Sequence, residues 1–168
     1  TVFYYNPNIE PYDEYVKRKE EQIRFLKEFH TVYPIAFLDC DYDADAFLKM
    51  SKGLESEKEG GIRCHKCYRL RLEKTAQVAK EKGFDYFGTS LTVSPYKNAE
   101  KINEIGEELA GKYALSFLYS DFKKEDGYKK SILMSKEYHL YRQDYCGCRF
   151  SKEAREKEKR LKALEKSL

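Results

Sequence analysis

Residues 64–91, CHKCYRLRLEKTAQVAKEKGFDYFGTSL, hold a helix followed by a strand, and that order decides the fold. The helix runs from Cys64 to Lys82, and Gly83 is a C-cap signal that ends it. Phe84–Leu91 is a strand, and Thr92–Pro95 leaves it. The same alternation continues upstream. Val2–Tyr5 is a short aromatic strand closed by Asn6-Pro7-Asn8, because Asn and Pro favour turns. Pro11–Phe29 is a helix, with Tyr12, Val16, Ile23, Leu26 and Phe29 near helical spacing. Pro34–Leu38 is a second strand, and Asp43 is an N-cap for a short helix through Lys52. A polar loop from Gly53 to Gly61 returns the chain to Cys64. Downstream, Asn98–Lys112 is a helix with Ile102, Ile105 and Leu109 on one face, and Ala114–Tyr119 is a fourth strand. Asp126–Tyr138 is another helix, Tyr141–Ser151 a compact cysteine-bearing loop, and Ser151 a candidate cap for a charged final helix.

Strands separated by helices imply crossovers, hence an α/β domain with a mainly parallel sheet and flanking helices. Ligands of such sheets sit beyond the carboxyl ends of the strands. Asn6, Asp39 to Asp43, Ser90 to Ser94 and Asp121 all follow strands and are expected along one edge. The expected organisation is one catalytic domain over residues 1–151 and a charged helix over 152–168.

The 168 residues suit one domain with a real core, and 41% of them are hydrophobic, which excludes a disordered tail. No apolar run approaches the ~20 residues of a membrane helix, and no signal peptide is visible. The expected compartment is therefore the reducing cytoplasm. The chain opens on Thr1 and then directly on a strand, which suggests that a preceding segment is missing. Net charge is only +3, although 36% of residues are charged. The distribution is more informative: Lys123, Lys124, Lys129 and Lys130 cluster, and Arg142 and Arg149 flank the last cysteines. Such groups either neutralise phosphates or form a solvated helix face.

Four of the five cysteines fall in two tight pairs. In a reducing compartment such pairs bind metal or do redox chemistry more often than they form disulfides. Cys64-His65-Lys66-Cys67 stands at a helix start, where free N–H groups, the helix dipole and Arg63 favour thiolate. Cys146-Gly147-Cys148 is tighter still, and Gly147 lets the backbone fold closely around a ligand. Four thiolates are the complement of an iron–sulfur cluster or of a structural zinc, and spacing alone leaves both open, with dithiol redox chemistry as a third reading. Cys40, alone at a strand end, reads as a small structural hydrophobe. No P-loop, Rossmann glycine pattern or nucleophile triad is present.

Several strings together resemble one family. They are Asn6-Pro7-Asn8-Ile9 with Glu14-Tyr15 and Arg18; Gly61-Ile62-Arg63-Cys64-His65-Lys66-Cys67-Tyr68 with Leu70-Arg71-Leu72; Ser90-Leu91-Thr92-Val93-Ser94-Pro95; Asp121-Phe122-Lys123-Lys124 with Asp126-Gly127-Tyr128; and Tyr141-Arg142-Gln143 with Tyr145-Cys146-Gly147-Cys148 and Phe150-Ser151. This pattern resembles the QueH family of epoxyqueuosine reductases from residue 3 to about residue 151. The resemblance implies reduction of the tRNA base epoxyqueuosine to queuosine, the last step of that base's synthesis, without cobalamin. It also implies a HUP-like α/β domain, a 4Fe–4S cluster with an adjacent iron ion, tRNA as partner and an external electron donor.

Carried over, Cys64, Cys67, Cys146 and Cys148 become the metal-site thiolates. Asp43 or Asp121 supplies an oxygen ligand or a proton, set against plain cap and turn roles. Arg69, Lys123, Lys124, Lys129, Lys130, Arg142 and Arg149 become the candidate RNA contacts, and Tyr68, Tyr128 or Tyr145 candidate stacking partners for a splayed base. Family members also carry a Cys-Cys-Ala-Pro-Cys type segment on their first strand and helix. This chain begins after that point, so its site is expected to lack those ligands. Two further classes stand against the reductase. One is a structural zinc-thiolate domain that only binds RNA, and the other is a nucleotide-dependent tRNA-modifying enzyme.

Overall fold

The structure, a computed structural model, describes residues 1–165. Its first strand, β1 (Val2–Tyr4), leads through the Asn6–Asn8 turn into helix α1 (Tyr12–Glu28). Strand β2 (Phe37–Asp39) follows and pairs in parallel with β1, Phe3 opposite Leu38. Helix α2 (Ala44–Ser51) starts where expected, with the Asp43 carboxylate accepting from the Ala46 amide at 3.2 Å. Helix α3 (Ile62–Glu81) begins two residues before Cys64, so that cysteine is its third residue and Cys67 lies in its second turn.

The second half holds two very short strands, β3 (Tyr86–Phe87) and β4 (Ser116–Phe117), again paired in parallel. Helix α4 (Ala99–Tyr113), capped by Asn98, connects them. Helix α5 is Gly127–Glu137 and helix α6 is Arg149–Glu165. The expected strand over 84–91 shrinks because Leu91–Val93 winds into a 3-10 turn. The one over 114–119 shrinks because Ala114 sits at φ 51°, left-handed, to end α4. Ser151 does not cap the last helix, since α6 already begins at Arg149. Residues 166–168 of the expected charged helix lie outside the described residues.

The architecture is α/β with all pairings parallel, but among the described residues the strands form two separate pairs rather than one sheet. Each pair has its own core. Tyr4, Ile9 and Tyr15 pack beside β1, α1 and β2. Tyr68, Leu72, Ala76, Phe87, Ile102, Ile105, Leu109 and Phe117 form a larger core where α3 and α4 face β3 and β4. Buried polar groups in this half satisfy one another. The Asn103 amide donates to the Ser120 carbonyl at 2.9 Å, and Thr92 and Ser120 exchange a hydrogen bond at 3.3 Å. That pin holds the 3-10 turn against the turn after β4, so two of the expected strand-end segments do meet.

The chain entering the last cysteine pair is laid along α1. Glu21 accepts from the Tyr141 amide at 2.6 Å and from Arg24 at 2.9 Å, and Tyr141 donates to Glu14 at 3.2 Å. The Arg24 guanidinium, with help from the Tyr141 amide, holds the Glu21 carboxyl at about 2, against an ordinary 4.5. A folded value below the unfolded one stabilises the fold fully above about pH 4.5, and the contribution fades as pH falls towards 2. The Tyr141 amide resonance is therefore expected to titrate with a midpoint near 2. A midpoint at the ordinary carboxylate value would show that this tie is not made in solution.

Candidate metal centre

A narrow cavity lies between the two cores. It is lined by Asn8 after β1, Phe47 of α2, Arg63, Cys64, Cys67, Tyr68 and Arg71 of α3, Lys97, and Cys146 and Cys148. Both cysteine pairs, far apart in sequence, thus share one cavity. The first pair is placed by the start of α3, with the Gly60 amide donating to Cys64 Sγ at 3.2 Å. The second is placed by the start of α6 and by contacts with the N-terminal segment. The Glu10 amide donates to the Gly147 carbonyl at 2.9 Å, and Tyr145 donates to the Glu10 carbonyl at 3.0 Å. Arg18 donates to the Cys146 carbonyl at 3.2 Å. Gly147 has φ +129°, and a Cβ there would stand 3.0 Å from Ile9 and 3.2 Å from Arg18 and Asn8. Only glycine combines that backbone angle with that close approach.

Further N–H groups reach the sulfurs. Lys97 Nζ donates to Cys146 Sγ at 3.0 Å and to Glu59 at 3.1 Å, and the Ser151 amide donates to Cys148 Sγ at 3.4 Å. Ser151 Oγ accepts from the Cys146 amide at 2.9 Å and donates to Glu59 at 3.1 Å, its position inside α6 serving the cysteine loop. Burial opposes the charge on Lys97, yet Cys146 and Glu59 raise its pKa above the ordinary lysine value. Arg63, buried at 4% exposure, donates to the Leu54 and Glu55 carbonyls at 2.8 and 3.0 Å and lies 4.3 Å above the Phe150 ring. Two cations thus flank the thiols.

The expected easy ionisation at a helix start does not hold in the free protein. Burial pushes the Cys67 thiol up to about 12, with Cys146, Cys148 and Cys64 adding to the rise and Arg71 opposing it. Burial likewise lifts Cys148 to about 11, again with Cys146 adding. Cys64 rises too, mainly through burial, against the Gly60 amide and Lys97. Thiols that raise one another in this way form a donor set that a cation among them would relieve. Hydrogen bonds from N–H groups to sulfur are what tune iron–sulfur centres. The donors therefore fit a soft metal in kind and number. As placed, no three His, Cys, Asp or Glu side chains among the described residues stand close enough together to hold one ion.

The other expected residues are dispersed. Asp43 caps α2 and accepts from the Tyr5 hydroxyl at 3.4 Å, and it does not line the cavity. Asp121 stands 3.3 Å from Lys123 Nζ, a contact of opposite charges without hydrogen-bond alignment. Lys123 also donates to the Lys97 carbonyl at 3.3 Å, which brings it to the edge of the cavity. Arg149 grips Glu10 through two hydrogen bonds at 2.8 and 2.6 Å, beside the cysteine loop. Arg69 pairs with Glu108, Lys129 with Asp126 at 2.9 Å, and Arg142 with Ser135 at 3.1 Å, while Lys124 and Lys130 are exposed. Cys40 stands apart from the cavity lining. Of the candidate stacking residues, Tyr68 is 2% exposed and belongs to the core. Asn8, Glu59 and Lys97 carried no expected role, yet Asn8 and Lys97 line the cavity and Glu59 joins its hydrogen-bond network. The only sequence trace of Lys97 is its place just before the Asn98 cap.

Comparison with known proteins agrees with the motifs. The family model described as Epoxyqueuosine reductase QueH matches residues 1–154. The Epoxyqueuosine reductase QueH of Streptococcus pyogenes serotype M1 is 47% identical over 150 residues, which is 88% of this chain and 59% of that protein. The protein of the same name from Staphylococcus epidermidis is 44% identical over 154 residues, 89% of this chain and 65% of its own. That of Thermotoga maritima is 37% identical over 152 residues, 89% of this chain and 77% of its own. The chain thus spans less than two thirds of the length of the first two relatives.

Proposed function

The chain belongs to the epoxyqueuosine reductase QueH family, and we propose that it forms the catalytic α/β part of an enzyme that reduces the epoxide of epoxyqueuosine in tRNA to the alkene of queuosine. The observation that carries this reading is the convergence of Cys64, Cys67, Cys146 and Cys148 on one cavity. Removing an epoxide oxygen as water takes two electrons and two protons. An iron–sulfur cluster with an adjacent iron ion, held in part by these four thiols, would supply single electrons from an external donor and a Lewis acid for the oxygen. The reading includes a HUP-type fold with its site beyond the strand ends, since Asn8 follows β1 and Lys97 follows β3. It also places the protein in the cytoplasm. No helix among the described residues is long and apolar enough to cross a membrane.

The remaining work falls to the chain's own groups. Lys97 and Arg63 place two positive charges beside the sulfurs, which offsets the charge that thiolates bring into a buried space. Glu59 holds Lys97 and Ser151 together, so the loop before α3 and the Cys146 loop keep their spacing. In this reading Lys123, Arg149, the half-buried Arg69 and the exposed Lys124, Lys129, Lys130 and Arg142 would take tRNA phosphates.

The test is direct. The protein is purified without oxygen, supplied with iron, sulfide and a chemical reductant, and incubated with tRNA bearing epoxyqueuosine. Digestion is expected to release a nucleoside lighter by one oxygen. An iron-loaded protein that leaves the base unchanged would refute the reading.

A further inference from the structure

Three buried polar atoms around the cysteine cavity lack a hydrogen-bond partner among the described residues. They are Asn8 Oδ1, the Tyr68 hydroxyl and Arg71 Nε. Asn8 and Tyr68 are each only 2% exposed. An unpaired buried polar atom costs about 1–3 kcal/mol, so three around one small cavity are not a packing accident. Their neighbours show where they lie. The groups acting electrostatically on the Tyr68 hydroxyl are Lys97, Cys64, Cys146 and Cys67, and Arg71 acts on the Cys67 thiol. Arg71 is anchored at its far end, donating to Asn6 at 2.6 Å, and its Nε is a buried donor without a partner among the described residues. The Asn8 amide nitrogen is 3.2 Å from the place a Gly147 Cβ would take, on the side of the cysteine loop.

The three atoms differ in sense: two donate and one accepts. Donors point away from a role as extra metal ligands. A phosphate would meet the two donors, but it would also meet the Asn8 acceptor and the sulfurs. An uncharged group with an ether-type oxygen next to a hydroxyl matches all three.

We propose that Tyr68, Arg71 and Asn8 form an oxygen-binding subsite, in which Tyr68 and Arg71 donate to the epoxide oxygen of the substrate ring and Asn8 accepts from its neighbouring hydroxyl. The assignment rests on the reductase reading for its substrate. It makes Tyr68 and Arg71 specificity determinants, because the alkene product has no oxygen at the position these two hold. A site built to bond an oxygen discriminates against the analogue that lacks it.

Tyr68→Phe separates this role from a structural one. The hydroxyl has no partner in the free protein, so its removal is expected to leave the melting temperature unchanged or raise it. Binding of the free epoxyqueuosine nucleoside, followed by calorimetry, is expected to weaken about tenfold, with binding of the queuosine nucleoside unaltered. Asn8→Leu is the second variant and is expected to weaken binding of both nucleosides, since both keep the hydroxyl. Wild-type protein that binds the two nucleosides equally, or neither, overturns the subsite. So does a Tyr68→Phe protein that melts well below wild type and discriminates as wild type does. Each of these results leaves the reductase reading to the tRNA assay. Discrimination lost in Tyr68→Phe, with no turnover of tRNA by wild type, would support the subsite and refute the reductase.

Discussion

Cys146→Ala is expected to abolish binding of the proposed iron and to lower the proposed rate on epoxyqueuosine tRNA by more than about 100-fold. Losing a group that merely supports a metal ligand costs 10–100-fold, and here a proposed ligand itself is lost. The change also removes the sulfur that accepts from Lys97, leaving a buried ammonium with Glu59 as its remaining partner. A modest loss of stability should accompany the loss of metal, and Lys97→Met in the same protein should recover the stability without recovering the iron. Cys40→Ala is the control, because that thiol does not line the cavity. Iron per chain and initial rate, measured on all three proteins, decide the matter. A Cys146→Ala protein that keeps both would remove this residue from the site.

Leu109→Ala is expected to cost about 2–5 kcal/mol, the range for truncating a leucine in a packed core. Leu109 is fully buried between α3 and the short strands, with Leu72, Ile102 and Phe87 in the same cluster. For a chain of this size the melting temperature should fall by roughly 5–15 °C. Gly106, one turn away on α4, fails in the opposite sense, since an added Cβ would stand 2.3 Å from the Phe117 ring. Gly106→Ala should therefore destabilise, although alanine is the better helix former by ~1 kcal/mol. Thermal melts of both variants test whether this core is packed as tightly as the structure shows. A Leu109→Ala protein that melts with wild type would contradict it.

The helices were legible in the sequence because their signals are local. Asp43 and Asn98 cap α2 and α4 through their own side chains, and Ile102, Ile105 and Leu109 share the buried face of α4. The strands were legible in kind but not in extent. Phe84–Leu91 reads as one apolar run, yet the Thr92–Ser120 hydrogen bond and the Leu91–Val93 turn shorten it to two residues. No local pattern reports such a pin. The four site cysteines stood out by spacing. The raised pKa values of Cys64, Cys67 and Cys148 did not, because burial outweighs the helix start and depends on everything packed around it. Lys97 and Glu59 were invisible for the same reason, and Asn8 was legible as a turn and motif residue but not as a cavity wall: only tertiary contact brings these three to the cysteine cavity.

The way Gly147 and Glu10 hold each other sets an order of events during synthesis. The first thiol pair belongs to α3 and can be presented once α3 and α4 have packed. The second has nowhere to dock until residues 146–149 meet residues 8–10, a contact that spans most of the chain. Contacts of such long range form late. A nascent chain still lacking its last cysteines offers half a donor set, and one that carries them without a folded N-terminal strand offers two unconnected halves. A metal held by all four thiols would thus be captured only after this long-range contact has closed, and a loaded site would report that residues 8–10 and 146–149 have met.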